Sequence, residues 1–170
     1  VSSCIPIQSK DDVYKKYKIN QGKFIVSYIG TIGMAHGLEV IIEASRKLSL
    51  DNVLFLIIGE GAYKQKLKKS ILKGGINNIV FLDKMSWDEI VDIQQIIDAN
   101  LRHWMPDELF KTVIPSKIFE SMILSKPIIM GVEGEADDIV SRANSGVKMI
   151  PGDYNSLIAA IEYLYKDKSL

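Results

Sequence analysis

Short apolar runs alternate along this chain with segments of helical periodicity. The run Phe24–Ile29 (FIVSYI) ends at Gly30 and is typical of a strand buried on both faces in the middle of a sheet. The predicted strands are Phe24–Ile29, Val53–Ile58, Ile79–Leu82, Asn100–Trp104, Pro127–Met130 and the short Val147–Ile150. Strands and helices that alternate at this pace form right-handed crossovers. The sequence therefore predicts an α/β protein with a doubly wound parallel sheet.

Helix signals between the strands support this fold class. Ser86 and Glu89 have the spacing of a capping box, and Asp153 is positioned to cap the closing helix. Gly74 and Gly75 are expected to end a lysine-rich helix, because glycine accepts the left-handed conformation. After a short amphipathic lead-in, the predicted helices cover the apolar positions from Leu38 to Leu48, the lysine-rich segment to about Leu72, Pro115–Met122, Glu135–Ala143 and the segment through about Lys166.

Composition and charge argue against several classes of protein. With 170 residues, 47% of them apolar and 25% charged, the chain is predicted to form one globular domain, residues 1–170. A nucleic-acid-binding protein needs a basic stripe, whereas basic and acidic residues here number 21 each. The densest basic cluster, Lys64–Lys69, is expected on an exposed helix face. The apolar runs are too short to span a membrane, and the single cysteine, Cys4, suits a reducing cytoplasm.

The loops at the carboxyl ends of the predicted strands are candidate binding sites, because parallel α/β sheets bind ligands at that edge. The loop after the first strand contains Gly30, Thr31, Ile32, Gly33 and His36, and the loop after the second contains Gly59 and Gly61. Glycines let backbone approach a ligand, but this spacing matches neither the dinucleotide fingerprint nor the phosphate loop. Phosphate binding and an ordinary structural turn are both open interpretations. His36 is likewise either a phosphate donor or a structural hydrogen-bond partner.

The segment from Lys111 to Glu120 follows the fourth strand after a loop of about ten residues, longer than the roughly 2–6 residues usual in α/β units. Pro115 is expected to begin a helix, so the amides of Ser116 and Lys117 lack intrahelical partners. These amides, the positive helix end and the side chains of Lys111 and Lys117 together predict a diphosphate-binding cradle. Glu120 is either a surface charge or a carboxylate that accepts hydrogen bonds from ribose hydroxyls.

Four motifs extend this pattern: YIGTIGMAHGL at 28–38, IIGEG at 57–61, VIPSKIFE at 113–120 and GVEGE at 131–135. In this order and spacing they resemble the retaining family-4 glycosyltransferases of the two-domain GT-B fold. The nearest resemblance is to bacterial N-acetylfucosamine transferases, which build capsule or O-antigen repeats. It extends over residues 23 to 166 and depends on several motifs jointly.

The resemblance implies that this chain is the C-terminal, donor-binding domain, a Rossmann-like half of a GT-B fold. The acceptor domain would precede it, which agrees with a chain that opens on Val1 without a signal-peptide pattern. The implied donor is a UDP-sugar, with the base near Met85 at the end of the third strand. The implied reaction is transfer of the sugar, with retention, to a lipid-linked or glycan acceptor in bacterial polysaccharide biosynthesis.

The resemblance also assigns roles to individual positions. The family's ribose-binding glutamate matches Glu120, whereas its sugar-binding glutamate falls at Thr112. Its diphosphate-binding arginine and lysine fall at Thr31 and His36. Phosphate binding is therefore expected from the backbone of Ile114–Lys117 and from the two lysine side chains of the cradle.

No cofactor is expected, and no metal, because the acidic residues and two histidines show no ligand spacing. No catalytic residue is assigned, and the fragment alone is expected to be inactive as a transferase. A cytoplasmic location is expected, with peripheral association of the full-length enzyme at the inner membrane face left open. GDP is left open as the nucleotide. Two other classes also stay open: a nucleotide-sugar epimerase half-domain and a non-catalytic flavodoxin-like module. A receiver-like domain is disfavoured because glycines, Gly30 and Gly131, stand where its aspartate and lysine would be.

Overall fold

Six parallel strands form the centre of the fold in the computed structural model, which describes residues 5–166. The strands are β1 Phe24–Ile29, β2 Val53–Ile58, β3 Ile79–Leu82, β4 Ala99–His103, β5 Ile128–Gly131 and β6 Gly146–Lys148. They lie in the order β3-β2-β1-β4-β5-β6, so the chain changes direction across the sheet between β1 and β4. Ile29 of β1 lies beside Ile58 of β2, and Ser27 lies beside Asn100 of β4. The predicted doubly wound α/β fold is confirmed.

Helices cover both faces of the sheet because successive strand residues point to opposite sides. The helices are α1 Lys10–Tyr17, α2 Glu39–Lys47, α3 Lys64–Lys73, α4 Trp87–Gln94, α5 Lys117–Ile123, α6 Glu135–Arg142 and α7 Tyr154–Lys166. One face of the sheet, which includes Val26 and Tyr28, packs against α2, α3 and α7. The other face packs against α1 and α4 around Ile25 and Ile29, and against α5 and α6 around Ile128.

Local capping signals in the sequence have the geometry that they predict. The Ser86 hydroxyl accepts a hydrogen bond from the Glu89 amide, and the Glu89 carboxylate accepts one from the Ser86 amide at 3.1 Å. The Asp153 carboxylate accepts from the Asn155 amide at 2.8 Å, at the start of α7. Gly75 adopts φ +63° just beyond α3. These boundaries depend on neighbouring residues alone, which explains why sequence predicts them.

Other boundaries differ from the predicted ones. β4 begins at Ala99, which pairs with Val26, and it ends at His103. β6 begins at Gly146, where a Cβ atom would overlap the carbonyl oxygen of Ile128. It ends before Ile150, whose amide donates to the Ser156 hydroxyl at 2.8 Å instead of to a strand.

Three helical segments also depart from the prediction. The helix after Pro115 begins at Lys117, since its first turn is closed by the Ile118 amide bonding to the Pro115 carbonyl at 3.1 Å. Two 3₁₀ turns, Met34–His36 and Glu108–Thr112, lie in loops for which no helix was predicted.

Lys64 was predicted on an exposed face and is instead buried. Its side chain is 5% exposed, and its Nζ donates to the Gly59 carbonyl at 2.9 Å, to Glu60 at 2.6 Å and to Asp83 at 2.8 Å. Burial lowers the pKa of Lys64, but the hydrogen bonds that it donates to Asp83 and Glu60 outweigh this effect, so the pKa is raised. Lys66, Lys68 and Lys69 are exposed, as predicted.

Two further predictions concern the cysteine and membrane-spanning segments. Cys4 lies outside residues 5–166. Within those residues, no helix has the length and apolar character needed to cross a membrane.

Candidate functional site

A cleft of about 340 Å³ lies at the carboxyl edge of the sheet, where β1, β2 and β3 end. It is lined by Ile29, Gly30, Thr31, Ile58, Gly59, Glu60, Lys84, Met85, Ile90 and Lys117. Ligands of open α/β sheets bind at this edge, beside the point where the strand order reverses. The structure therefore brings together residues of three predicted loops and the predicted cradle.

The two glycine-containing loops pack directly against each other. The Gly30 amide donates to the Ile58 carbonyl at 3.0 Å, and the Ile32 amide donates to the Glu60 carbonyl at 2.8 Å. Gly59 and Gly61 adopt φ values of +147° and +157°, and a Cβ atom at either would overlap a backbone carbonyl of the neighbouring loop. This close approach of the two backbones accounts for both glycines. It also fixes the rim of the cleft.

His36 lies in the 3₁₀ turn after β1, with its ring between two aromatic side chains rather than on the cleft wall. Its centroid is 5.9 Å from that of Tyr28 and 6.3 Å from that of Trp104. Its Nδ1 is buried and finds no hydrogen-bond partner among the described residues. Burial lowers the pKa of His36, so the ring is neutral at pH 7.

His103, in β4, connects two loops at this edge. Its Nδ1 lies 2.7 Å from the carbonyl oxygen of His36, and its Nε2 accepts from the Gly152 amide at 2.8 Å. These partners fix a neutral ring with the proton on Nδ1. Burial lowers the pKa of His103, which favours the same neutral form.

Lys117 and Glu120 form an ion pair on α5. The Lys117 Nζ lies 2.8 Å from each carboxylate oxygen of Glu120, and the two side chains are 38% and 25% exposed. Lys117 lines the cleft. The two groups assigned to diphosphate and ribose in the sequence prediction are thus side by side, with Lys117 at the wall of the cleft.

Lys111 lies apart from that wall. It lines a separate small hollow with Trp104 and Glu133, and its Nζ pairs with Glu108 at 2.6 Å and with Glu133 at 3.9 Å. Its carbonyl lies against Gly134, where a Cβ atom would overlap it. The structure therefore divides the two lysines of the predicted cradle between two hollows. Thr112, Ile114 and Ser116 are exposed, and Pro115 is half-buried.

Sequence reasoning marked the loops that contain Glu60 and Lys84 but did not assign these two residues to the site, and it missed Ile29, Ile58 and Ile90 of the cleft. It also missed a buried polar cluster beneath the cleft. That cluster contains Ser27, Gln94, Asn100, Arg102 and Ser121, all on the α4 and α5 side of the sheet. Asn100 bonds to Ser27 at 2.5 Å, to Gln94 at 3.1 Å and to the Ser121 hydroxyl at 3.1 Å. The available signal was the presence of Asn100, Arg102 and His103 in a strand predicted at the centre of the sheet, since buried polar groups are uncommon.

Acidic and histidine side chains are dispersed around the cleft. Within residues 5–166, no three His, Cys, Asp or Glu side chains are grouped so that they could hold a metal ion.

Comparison with known proteins gives one family and several relatives. The family model described as "Glycosyl transferases group 1" matches residues 9–170. The putative colanic acid biosynthesis glycosyl transferase WcaI of Escherichia coli is 31% identical over 91 residues, which cover 54% of this chain and 22% of WcaI. The chain thus spans well under half of that relative's length.

Two solved structures share the fold at low sequence identity. HepE of Anabaena, in complex with UDP, has a TM-score of 0.79 at 20% identity, covering 95% of this chain and 45% of HepE. The C-terminal domain of LpcC, a glycosyl transferase group 1 family protein of Francisella tularensis, has a TM-score of 0.73 at 19% identity, covering 96% of this chain and 85% of that domain. The sheet described above is the Rossmann-like half of the GT-B fold.

Proposed function

This chain belongs to the glycosyl transferases group 1 family, and we propose that it is the donor-binding domain of a retaining glycosyltransferase, with UDP-sugar as the donor. The observation that carries the proposal is the cleft at the carboxyl edge, bounded by backbone loops on one side and by Lys117 on the other. HepE, which has the same fold, was solved with UDP. Family membership favours the transferase over the epimerase and flavodoxin-like alternatives.

The parts of the nucleotide would be divided along the cleft. The base would lie against Met85, and the diphosphate near the backbone of Gly30 and Thr31 and the ammonium group of Lys117. Glu120 would accept hydrogen bonds from the ribose hydroxyls. Binding would then exchange the Lys117–Glu120 ion pair for two contacts with the ligand.

The chemical contribution of this domain would be stabilisation of the leaving group. Negative charge develops on the departing diphosphate, and donors already positioned around it lower the barrier because little reorganisation is required. Lys117 and the backbone of the preceding loop would supply these donors. The side chains at Thr112 and Lys111 would lie nearer the transferred sugar.

A second set of proposals concerns the enzyme as a whole: the position of this domain, the acceptor and the product. We propose that this domain is the C-terminal part of a longer enzyme, because its fold is shared with the C-terminal domain of LpcC. The acceptor would bind the other part, and the proposed product is a bacterial surface polysaccharide, by analogy with the colanic acid assignment of WcaI. Retention and a lipid-linked acceptor are predictions from the family resemblance, and a cytoplasmic location is a prediction from the single cysteine.

An amide-resolved NMR titration tests the proposal, with UDP as the ligand and GDP and NAD as matched controls. We expect UDP alone to shift the amides of residues 30–33, 59–61, 84–85 and 116–120. Equal shifts with all three nucleotides would argue for a general anion site. The absence of any shift at millimolar concentrations would contradict the donor-binding assignment for this chain.

A further inference from the structure

Arg102 lies in β4 with its side chain beneath the wall of the cleft. It is 5% exposed. Its Nη1 donates to the carbonyl oxygens of Ile29 at 3.3 Å and Leu101 at 3.2 Å, and its Nη2 donates to the Ser121 hydroxyl at 3.1 Å. Ile29 itself lines the cleft. A permanent positive charge is therefore held directly behind the end of β1.

The charge of Arg102 is not balanced by a carboxylate at contact distance. All of the hydrogen-bond partners named above are neutral, its Nε is buried without a partner in the described part of the chain, and no ion pair within residues 5–166 includes it. Burial lowers the pKa of Arg102 to about 10, whereas electrostatic interactions with Tyr28 and Glu120 oppose this shift. The guanidinium is thus protonated at pH 7, in a position where an unpaired charge is unfavourable.

The cleft above Arg102 has little net charge of its own. Its lining includes two lysines, Lys84 and Lys117, and one glutamate, Glu60. The ion pair with Glu120 neutralises Lys117. Glu60 is paired in turn with the buried Lys64, which also pairs with Asp83. These six groups carry three positive and three negative charges, so an anionic ligand gains no net attraction from them.

We propose that Arg102 provides the unbalanced positive charge that attracts the diphosphate of the nucleotide, acting through the protein interior without contact. The inference rests on the proposed nucleotide-binding function of the same cleft. A buried charge is less screened by solvent and salt than a surface lysine, so its influence on a nearby anion is larger at equal distance. The cost of burying it is offset when the ligand binds.

A purely structural role for Arg102 is the competing explanation. Ser121, on α5, accepts from Arg102 and from Asn100, and its hydroxyl donates to the Lys117 carbonyl at 3.0 Å. Arg102 could therefore serve only to hold α5 against the sheet. Substitution by lysine distinguishes the two roles, because a lysine keeps the positive charge but lacks the forked hydrogen-bond donors of arginine.

The test compares binding of UDP and of uridine, which lacks phosphate, by NMR titration of the wild-type chain and of Arg102→Lys, Arg102→Gln and Arg102→Met. We expect the two neutral variants to bind UDP about fivefold to tenfold more weakly, with uridine binding unchanged and with Arg102→Lys close to wild type. Lys126→Met is the matched control. Lys126 is a half-buried cation whose Nζ donates to the Ile97 carbonyl, in the segment that precedes β5 at the opposite edge of the sheet. It should leave UDP binding unchanged.

Three results would overturn the inference: UDP binding by the neutral variants as tight as wild type, a parallel loss of uridine binding, or a loss in Arg102→Lys as large as in Arg102→Met. A wild-type chain that binds neither UDP nor uridine would refute the proposed function instead. In that case inorganic pyrophosphate is the probe. Its binding must weaken in Arg102→Met for the inference to stand, and unchanged or absent binding would overturn it.

Discussion

Two corners of the sheet edge beside the cleft each contain a buried basic side chain, but the hydrogen-bond partners of the two charges differ. In the β2–β3 corner, Lys64 is enclosed by the Gly59 carbonyl and by the carboxylates of Glu60 and Asp83. In the β1–β4 corner, Arg102 donates to the neutral oxygens of Ile29, Leu101 and Ser121. A buried charge with its full set of partners fixes two loops together. A buried charge without a carboxylate is available to an incoming anion.

The contact between the two corners should be the most sensitive point of the structure. Gly59→Ala would force a Cβ atom onto the carbonyl oxygen of Gly30, at a φ of +147°. We expect a loss of about 3 kcal/mol in the free energy of unfolding, measured by urea denaturation. Gly75→Ala is the control, because its φ is also positive but the space around it is open. It should cost about 1 kcal/mol. Equal losses at both positions would show that backbone conformation, rather than the contact between loops, determines the cost.

Removal of the enclosed charge should destabilise the fold. Lys64→Met deletes three hydrogen bonds made by one nitrogen atom. We expect a loss of about 2 kcal/mol, because the Gly59 carbonyl is left unpaired while the two exposed carboxylates are solvated again. Arg102→Met, at the other corner, should leave the urea midpoint unchanged or raise it. The comparison between the corners fails if both variants lose stability equally.

The Lys117–Glu120 ion pair on α5 provides a third comparison. Its two charges are proposed to exchange each other for the ligand, whereas Lys64 keeps its partners. We expect Lys117→Ala to weaken UDP binding about tenfold, since a charge-assisted hydrogen bond to phosphate is lost. Glu120→Ala should weaken it less, because the lost ribose contact is partly offset by removal of a negative charge. Inorganic pyrophosphate separates the two groups: its binding should weaken in Lys117→Ala and tighten in Glu120→Ala. Equal losses of UDP binding in the two variants would contradict this order.

Acid should weaken the β1–β4 corner slightly through its histidines. The pKa of both His36 and His103 is lowered by burial from the ordinary 6.5. The unfolded chain therefore takes up protons first as the pH falls. The histidine contribution to stability is complete above pH 6.5, and it declines as the pH falls through 6.5 towards the lowered pKa values.

Urea midpoints of the wild-type chain and of His103→Gln, measured between pH 7.5 and 5, test this dependence. The variant should show a shallower decline, and a variant lacking both histidines the shallowest. An unchanged slope in both variants would exclude the histidines as its cause.

The fold was predictable from sequence because its signals are local. The strands β1, β2 and β3 have the predicted bounds, since each is a consecutive apolar run closed by a polar or glycine residue. The position of the cleft followed from the parallel sheet. Met85 and Lys117 both line it.

The side-chain arrangement was less predictable because it depends on contacts between distant segments. Lys111 and Lys117 are close in sequence, but Lys111 lies in a 3₁₀ turn and Lys117 begins α5 after Pro115, and the two side chains line different hollows. The burial of Lys64 requires Asp83, which is 19 residues away in sequence. The role of Arg102 could not be predicted, because a strand pattern indicates which positions are buried but not which residues surround them.

The contact between the loops after β1 and β2 also limits how such a domain can diversify. The two backbones are in direct contact there, so neither Gly59 nor Gly61 can be replaced by a larger residue that would reshape that rim. Under the proposed donor-binding function, new donor preferences would have to arise at positions where side chains border free space, such as Lys84, Met85 and the exposed Thr112. A library aimed at altered sugar choice should therefore leave the two glycines invariant and concentrate its variation on those three sites.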